Sequence, residues 1–134
     1  MNRSAEETTY QAVMETRQWL IIDATIDNEV STEAEEGDPR DVVHLGNSIR
    51  KAGWRQNPGW PRDLKGFESW PAPGQETTMT LNAAQWELVL SALVRWSAVS
   101  ASLGDAESAA DAEQDRVIEA LIRRQLAEQG WSAA

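Results

Sequence analysis

Cysteine is absent from this sequence, which excludes disulfides, thiolate nucleophiles and cysteine-bound zinc together. Histidine occurs once, at His44, so neither a His-rich metal site nor a two-histidine relay fits within one chain. No apolar run approaches the roughly 18 residues that a membrane span needs. The opening Met1-Asn2-Arg3-Ser4 turns acidic at once and has no apolar stretch of signal-peptide type. A cytoplasmic protein without membrane association, metal or cofactor is the expectation. The glycines between Gly53 and Gly74 are not spaced as a phosphate-binding loop and no strand leads into them. Neither Ser48 nor Ser69 has a nucleophile-elbow setting, and no internal repeat is evident.

What the chain does have is acid. Twenty-two carboxylates face twelve basic residues over 134 positions, a net charge of −10. Such a field repels nucleic-acid phosphates and favours basic partners, so direct nucleic-acid binding is not expected. The charge is unevenly placed. Residues 1–39 hold ten carboxylates and two arginines, a local −8, and residues 71–134 hold −5. Between them, Arg40, Arg50, Lys51, Arg55, Arg62 and Lys65 outnumber Asp41, Asp63 and Glu68, for a local +3.

A chain of this length with 41% apolar residues can build one core, and 1–134 is read as a single domain. The expected class is mainly α: a small helical domain closing in an antiparallel helical hairpin, with a long ordered Trp/Pro/Gly-rich loop. Residues 5–28 read as an N-terminal helix, with Ser4 as N-cap and Glu6 and Glu7 at the positive end of its dipole. Within it, 19–26 (WLIIDATI) is apolar nearly all round and fits either a continuing helix or a strand. The helix is preferred because a lone strand needs a partner. If helical, Trp19, Ile22 and Ile26 form a surplus apolar face, a candidate homodimer seam. The acidic stretch 27–38 reads as a surface loop. Asp38-Pro39 then starts a helix over 39–52, with Gly53 as its stop.

Residues 53–75 hold four of the five prolines and three of the seven tryptophans. Helix is excluded over most of this segment, and Trp54, Trp60, Phe67 and Trp70 predict an ordered loop pinned by its aromatics. Residues 76–80 could add a short strand. The hairpin, 82–103 and 106–129, is the clearest part. Asn82 and Gln85 make a capping box, flanked by the staple pair Leu81 and Trp86. The first hairpin helix is apolar well past half its circumference, as befits a helix packed on two sides. Gly104 ends it, Asp105 caps the next, and Glu119 and Arg123 are spaced as an exposed ion pair.

Three constellations invite chemistry. Asp23/Asp27 and Asp111/Asp115 lie one helical turn apart and Glu33/Glu36 three residues apart, as magnesium-holding carboxylates do. All-α nucleotide pyrophosphatases use paired motifs of that kind on successive helices, but no second pair matches here and solvated surface is the reading. Asp41 could orient His44 as a general base if both lay on one helix face. The third is the Trp-rich loop, where Trp54-Arg55, Trp60-Pro61-Arg62 and Lys65-Gly66-Phe67 set cations beside rings. Trp54, Arg55, Trp60, Arg62, Lys65 and Trp70 are therefore the candidate partner-binding residues.

The expected function is non-enzymatic: a small acidic interaction protein, an inhibitor or adaptor acting by protein binding or nucleic-acid mimicry. In small size it is similar in style to accessory proteins of phages and mobile elements, a likeness that no motif carries. The alternatives are a carboxylate- and magnesium-dependent nucleotide hydrolase, and sequestration of a small anionic ligand by Arg55, Arg62 and Lys65.

Overall fold

A computed structural model describes residues 8–131. Strand β1 (Thr9–Glu15) leads directly into helix α1 (Thr16–Glu35), followed by α2 (Val43–Gln56). After an irregular segment holding the short 3-10 helix Leu64–Glu68, strand β2 (Glu76–Asn82) leads into α3 (Ala83–Ser102) and α4 (Ala106–Glu128). The protein is mainly α, with β1 and β2 as one antiparallel pair. Tyr10, Ala12 and Met14 alternate inward with Thr77, Met79 and Leu81. The outer face of the ribbon, including Gln11, Val13 and Thr78, is exposed.

Several expectations are corrected. The first helix begins at Thr16 rather than 5; residues 5–7, with Ser4, lie outside the described residues. Residues 9–15 hold helix formers, but their alternation buries Ala12 and Met14 and half-buries Tyr10 once β2 supplies a partner, and pairing overrides propensity. Residues 19–26 are helical and not strand. Trp19, Ile22 and Ile26 are wholly enclosed, so the surplus apolar face is used inside the fold and leaves these residues no surface for a second copy. The acidic stretch 27–38 is helical through Glu35. Helix α2 starts at Val43, not 39, because Asp38 and Asp41 both take positive φ. Val42, not Asp38, is the N-cap residue; the Asp38 carboxylate accepts from the amides of Val42 (2.8 Å) and Val43 (3.3 Å) just ahead of the first turn. The same helix runs through Gly53 to Gln56, so Trp54 and Arg55 are helical.

The strand expected at 76–80 is present and extends to Asn82. The hairpin falls where expected. The Asn82 side-chain oxygen accepts from the amide of Gln85 at 2.8 Å, and the Asn82 amide donates in return to Gln85 Oε1 at 2.9 Å. Asp105 caps α4 and Arg123 meets Glu119 at 2.7 Å. Helix α3 is packed on two sides only in its first half; Val99 and Leu103 are exposed.

The structure also contains a repeat that the sequence hid. Each half is a strand followed by two helices. Met14, Glu15, Gln18, Trp19, Ile22 and Ile26 correspond, at one constant offset, to Leu81, Asn82, Gln85, Trp86, Val89 and Leu93. Both helices open with a capping box closed by glutamine, and one turn into each a tryptophan is fully buried. The ribbon register pairs Ala12 with Met79, which are themselves counterparts, so a local two-fold axis passes between them.

Glutamines close the ribbon's edges. Gln125 and Gln129 each donate to and accept from one β1 residue, Val13 and Gln11 respectively. Four residues of helix rise about 6 Å and two of strand about 6.7 Å, so side chains one turn apart on α4 can imitate a neighbouring strand. Gln56 does the same for Thr80 on the opposite edge. Such capping blunts a liability of any unpaired strand.

The halves differ at the tryptophans. The Trp86 indole donates to the Tyr10 carbonyl at 2.9 Å, whereas the buried Trp19 Nε1 has no partner among the described residues. The Trp19 ring lies against Gly53, where an added Cβ would sit 2.4 Å from Nε1. A rigid indole in a filled core cannot step aside cheaply. Gly53→Ala is expected to destabilise the fold by about 1–3 kcal/mol. Urea denaturation should show a lower midpoint at unchanged slope.

Candidate functional site

The last two turns of α2 and the segment after it build a shelf of aromatic rings. The shelf starts from Asn57, which is buried. Its amide donates to the Gly53 carbonyl at 2.8 Å and its oxygen accepts from the Thr77 hydroxyl at 2.9 Å, tying the end of α2 to β2. The chain then doubles back. Asp63 accepts from the Gly66 amide at 3.0 Å, and Gly66 lies so close to Pro61 that a Cβ would be 2.4 Å from that ring.

These turns bring four rings into sequence. Trp54 meets Trp60 edge-on at 6.5 Å, Trp60 meets Trp70 at 5.6 Å, and Phe67 meets Trp70 edge-on at 6.0 Å. Spacings in this range suit attractive aromatic pairs. Trp60 also packs on the core. The outer members remain wet, Trp54 at 44% and Phe67 at 39% exposure. A cleft of about 450 Å³ opens between Trp54, Pro58, Trp60 and Arg62, with Asn57 and Pro61 completing its walls.

Of the six residues singled out from the sequence, Trp54, Trp60 and Trp70 come together and Arg62 joins two of them at the cleft. Arg55 and Lys65 are exposed on the same segment. Adjacency in sequence did not predict stacking, however. The cation over Trp54 is Arg50, one turn earlier on α2, with Cζ 5.2 Å from the ring centroid. Arg50 is engaged further, by Asp23 at 3.1 Å and Asp27 at 3.0 Å. The hydrogen bond to Asp23 leads in raising the Arg50 pKa above its ordinary value. Among the described residues, no ion pair engages Arg55, Arg62 or Lys65.

The carboxylates tell a different story from the expected solvated surface. Asp23, Glu33 and Asp115 are all buried. Glu29 and Glu33, one turn apart on α1, grip Arg40: its side chain donates to both, and its backbone amide reaches Glu33 at 3.2 Å. The Trp96 indole donates to Glu29 at 2.9 Å, and Arg95 lies 3.7 Å away. Sequence reading missed this network because 27–38 looked like loop. The signal was the four-residue spacing of Glu29 and Glu33 with Arg40 beyond them. The paired acids that a metal hydrolase would use are thus partly committed to arginines. Among the described residues, no three His, Asp or Glu gather as metal ligands. His44 is exposed near the start of α2, and Asp41 lies outside that helix, so the proposed helical Asp–His pair does not form. No described helix is long and apolar enough to cross a membrane.

Asp115 stands apart. It lines a cavity between α1, α3 and α4, and no hydrogen bond or ion pair within the described residues satisfies it. Burial first, and the charge of Asp111 second, push its pKa up to about 6 against an ordinary 3.8. The folded state therefore holds this proton more tightly than the unfolded chain. The carboxyl is neutral and harmless below pH 3.8; its ionisation costs stability progressively up to about pH 6, and the full cost remains above that. The cavity is open to water, so screening reduces the penalty. Asp115→Asn is expected to stabilise the protein by about 1–2 kcal/mol at pH 7 and by almost nothing at pH 3.5. Urea denaturation at the two pH values checks it.

No protein-family model matches this chain, and no match appears among curated proteins or solved structures, so its functional reading rests on the aromatic shelf and the charges around it.

Proposed function

We propose that this protein is a non-enzymatic binding module that engages another protein through the aromatic shelf. The observation that carries the reading is the half-exposed indole of Trp54 beside a cleft shared with Trp60 and Arg62. A ring left in water at the rim of a concave, aromatic-lined surface is a large apolar payload with a place for an anchor. Trp and Arg dominate interface hot spots for this reason. The segment is held in one shape by its ring contacts and by Asn57, so little ordering entropy is lost on binding.

Charge names the partner's chemistry. Arg40, Arg50 and Arg95 serve carboxylates of the fold, whereas Arg62 lines the cleft and Arg55 and Lys65 are exposed on either side of it in the sequence. The fitting partner presents an acidic segment with an apolar or proline anchor, docked by its charges and held by the rings. The acidic body, net −10, turns such a partner away from the rest of the surface. This favours one orientation of approach.

The test replaces Trp54 and Arg62 together by alanine. Trp54 is preferred to Trp60, whose ring also supports the core. Partner retained in quantitative pull-downs from the native host should fall by about 30-fold, equivalent to roughly 2 kcal/mol. The urea midpoint should stay close to that of the parent protein. A control variant on the open ribbon face, Val13→Ser, should keep the partner. Equal retention by all three proteins would remove the shelf from consideration.

A further inference from the structure

The cavity lined by Asp115 plays no part in the shelf and has its own chemistry. Its floor is a carboxylate only 7% exposed that has no partner among the described residues. One turn earlier, Asp111 stands at the rim. Gln114 and Ser100 line it with neutral oxygens, and the Trp96 ring and Ile21 supply apolar wall. The nearby cations are occupied elsewhere: Arg95 reaches Glu29 and stacks on Trp96, and Arg116 pairs with Glu113 at 3.0 Å. A volume of about 230 Å³ admits a short chain of atoms and little more.

We infer that this cavity is a binding site for an organic cation carrying a primary ammonium group, seated on Asp115. An ammonium has three donors, and Asp115 with the neutral oxygens of Gln114 and Ser100 can take them. The methylenes behind it would lie along Trp96 and Ile21, where an aromatic face also favours positive charge. A divalent metal is the poorer fit. It needs six or more oxygen ligands, or at least a cluster of carboxylates, and here two carboxylates share one helix with no third acid joining them among the described residues. Burial of Asp115 is costly in the empty protein, and an ammonium counter-ion removes that cost. Its chemistry has two sources, a free aliphatic amine or the lysine side chain of another protein.

The full-length protein, with carboxyl-labelled aspartate, is titrated at pH 7 with putrescine and, separately, with an acetylated Gly-Gly-Lys-Gly-Gly peptide. Sodium chloride at matched ionic strength and magnesium chloride are the controls. Saturable movement of the Asp115 carboxyl resonance is expected with at least one amine and with neither salt. By isothermal titration calorimetry on both proteins, Asp115→Asn should bind that amine at least tenfold more weakly, while its urea midpoint is no lower than the parent's. Tighter binding of putrescine assigns the site to free amines, and tighter binding of the peptide to protein lysine. A resonance unmoved by both amines, equal response of parent and Asp115→Asn, or a matching effect of magnesium would each overturn the inference.

Discussion

Everything in this fold hangs on seven residue pairs between two strands that lie far apart in the chain. A two-stranded ribbon is marginal by itself. Here it is held from three directions: by helices on its inner face and by glutamine amides on each edge. Because each strand runs straight into a helix through a capping box, the ribbon also aims α1 and α3. The following helices must return to cover them. The two-fold relation centred on Ala12 and Met79 follows from this arrangement. So does the site. The first half must be joined to the second, and residues 57–75 make that join, fixed at one end by Asn57 on Thr77 and at the other by the Thr16 amide on the Gln75 carbonyl at 2.8 Å. A long irregular segment with both ends anchored can hold a defined surface without secondary structure.

Charge is divided as deliberately as shape. An isolated buried carboxylate is costly, and the fold answers by giving Glu29, Glu33 and Asp23 arginines from α2 and the turn before it. The basic middle of the chain therefore serves two purposes. Arg40 and Arg50 neutralise the acids of α1, whereas Arg55, Arg62 and Lys65 enter no ion pair among the described residues. Among the described residues, Asp115 is the buried acid that no arginine pairs with.

Much of the architecture was legible in the amino-acid order, and the failures share a cause. The hairpin could be read because its signals are local: Asn82 and Gln85, Gly104, Asp105 and the 3.6-residue stripe of α4. Strand β1 could not, since Ala12, Met14 and Glu15 are helix formers and only a partner more than sixty residues away makes them a strand. The repeat was hidden because identity is kept at Gln18/Gln85 and Trp19/Trp86 while the other matching positions keep only size or role, as Glu15 does with Asn82 and Ile22 with Val89. The extent of α1 was missed where Glu29 and Glu33 looked like solvated acid. At the site, the clustering of rings was foreseen from composition. The pairing of Arg50 rather than Arg55 with Trp54 was not, because a helix sets side chains against those one turn away and not against their neighbours in sequence.

The central claim is that the shelf offers its outer rings to solvent while the paired tryptophans of the two halves are sealed. Hydroxyl-radical footprinting of the free protein, read by mass spectrometry, measures this directly. Rapid oxidation of Trp54 and Phe67, intermediate rates at Trp60 and Trp70, and near-complete protection of Trp19 and Trp86 are expected under native conditions. Protection of Trp54 to the level of Trp86 would contradict the claim.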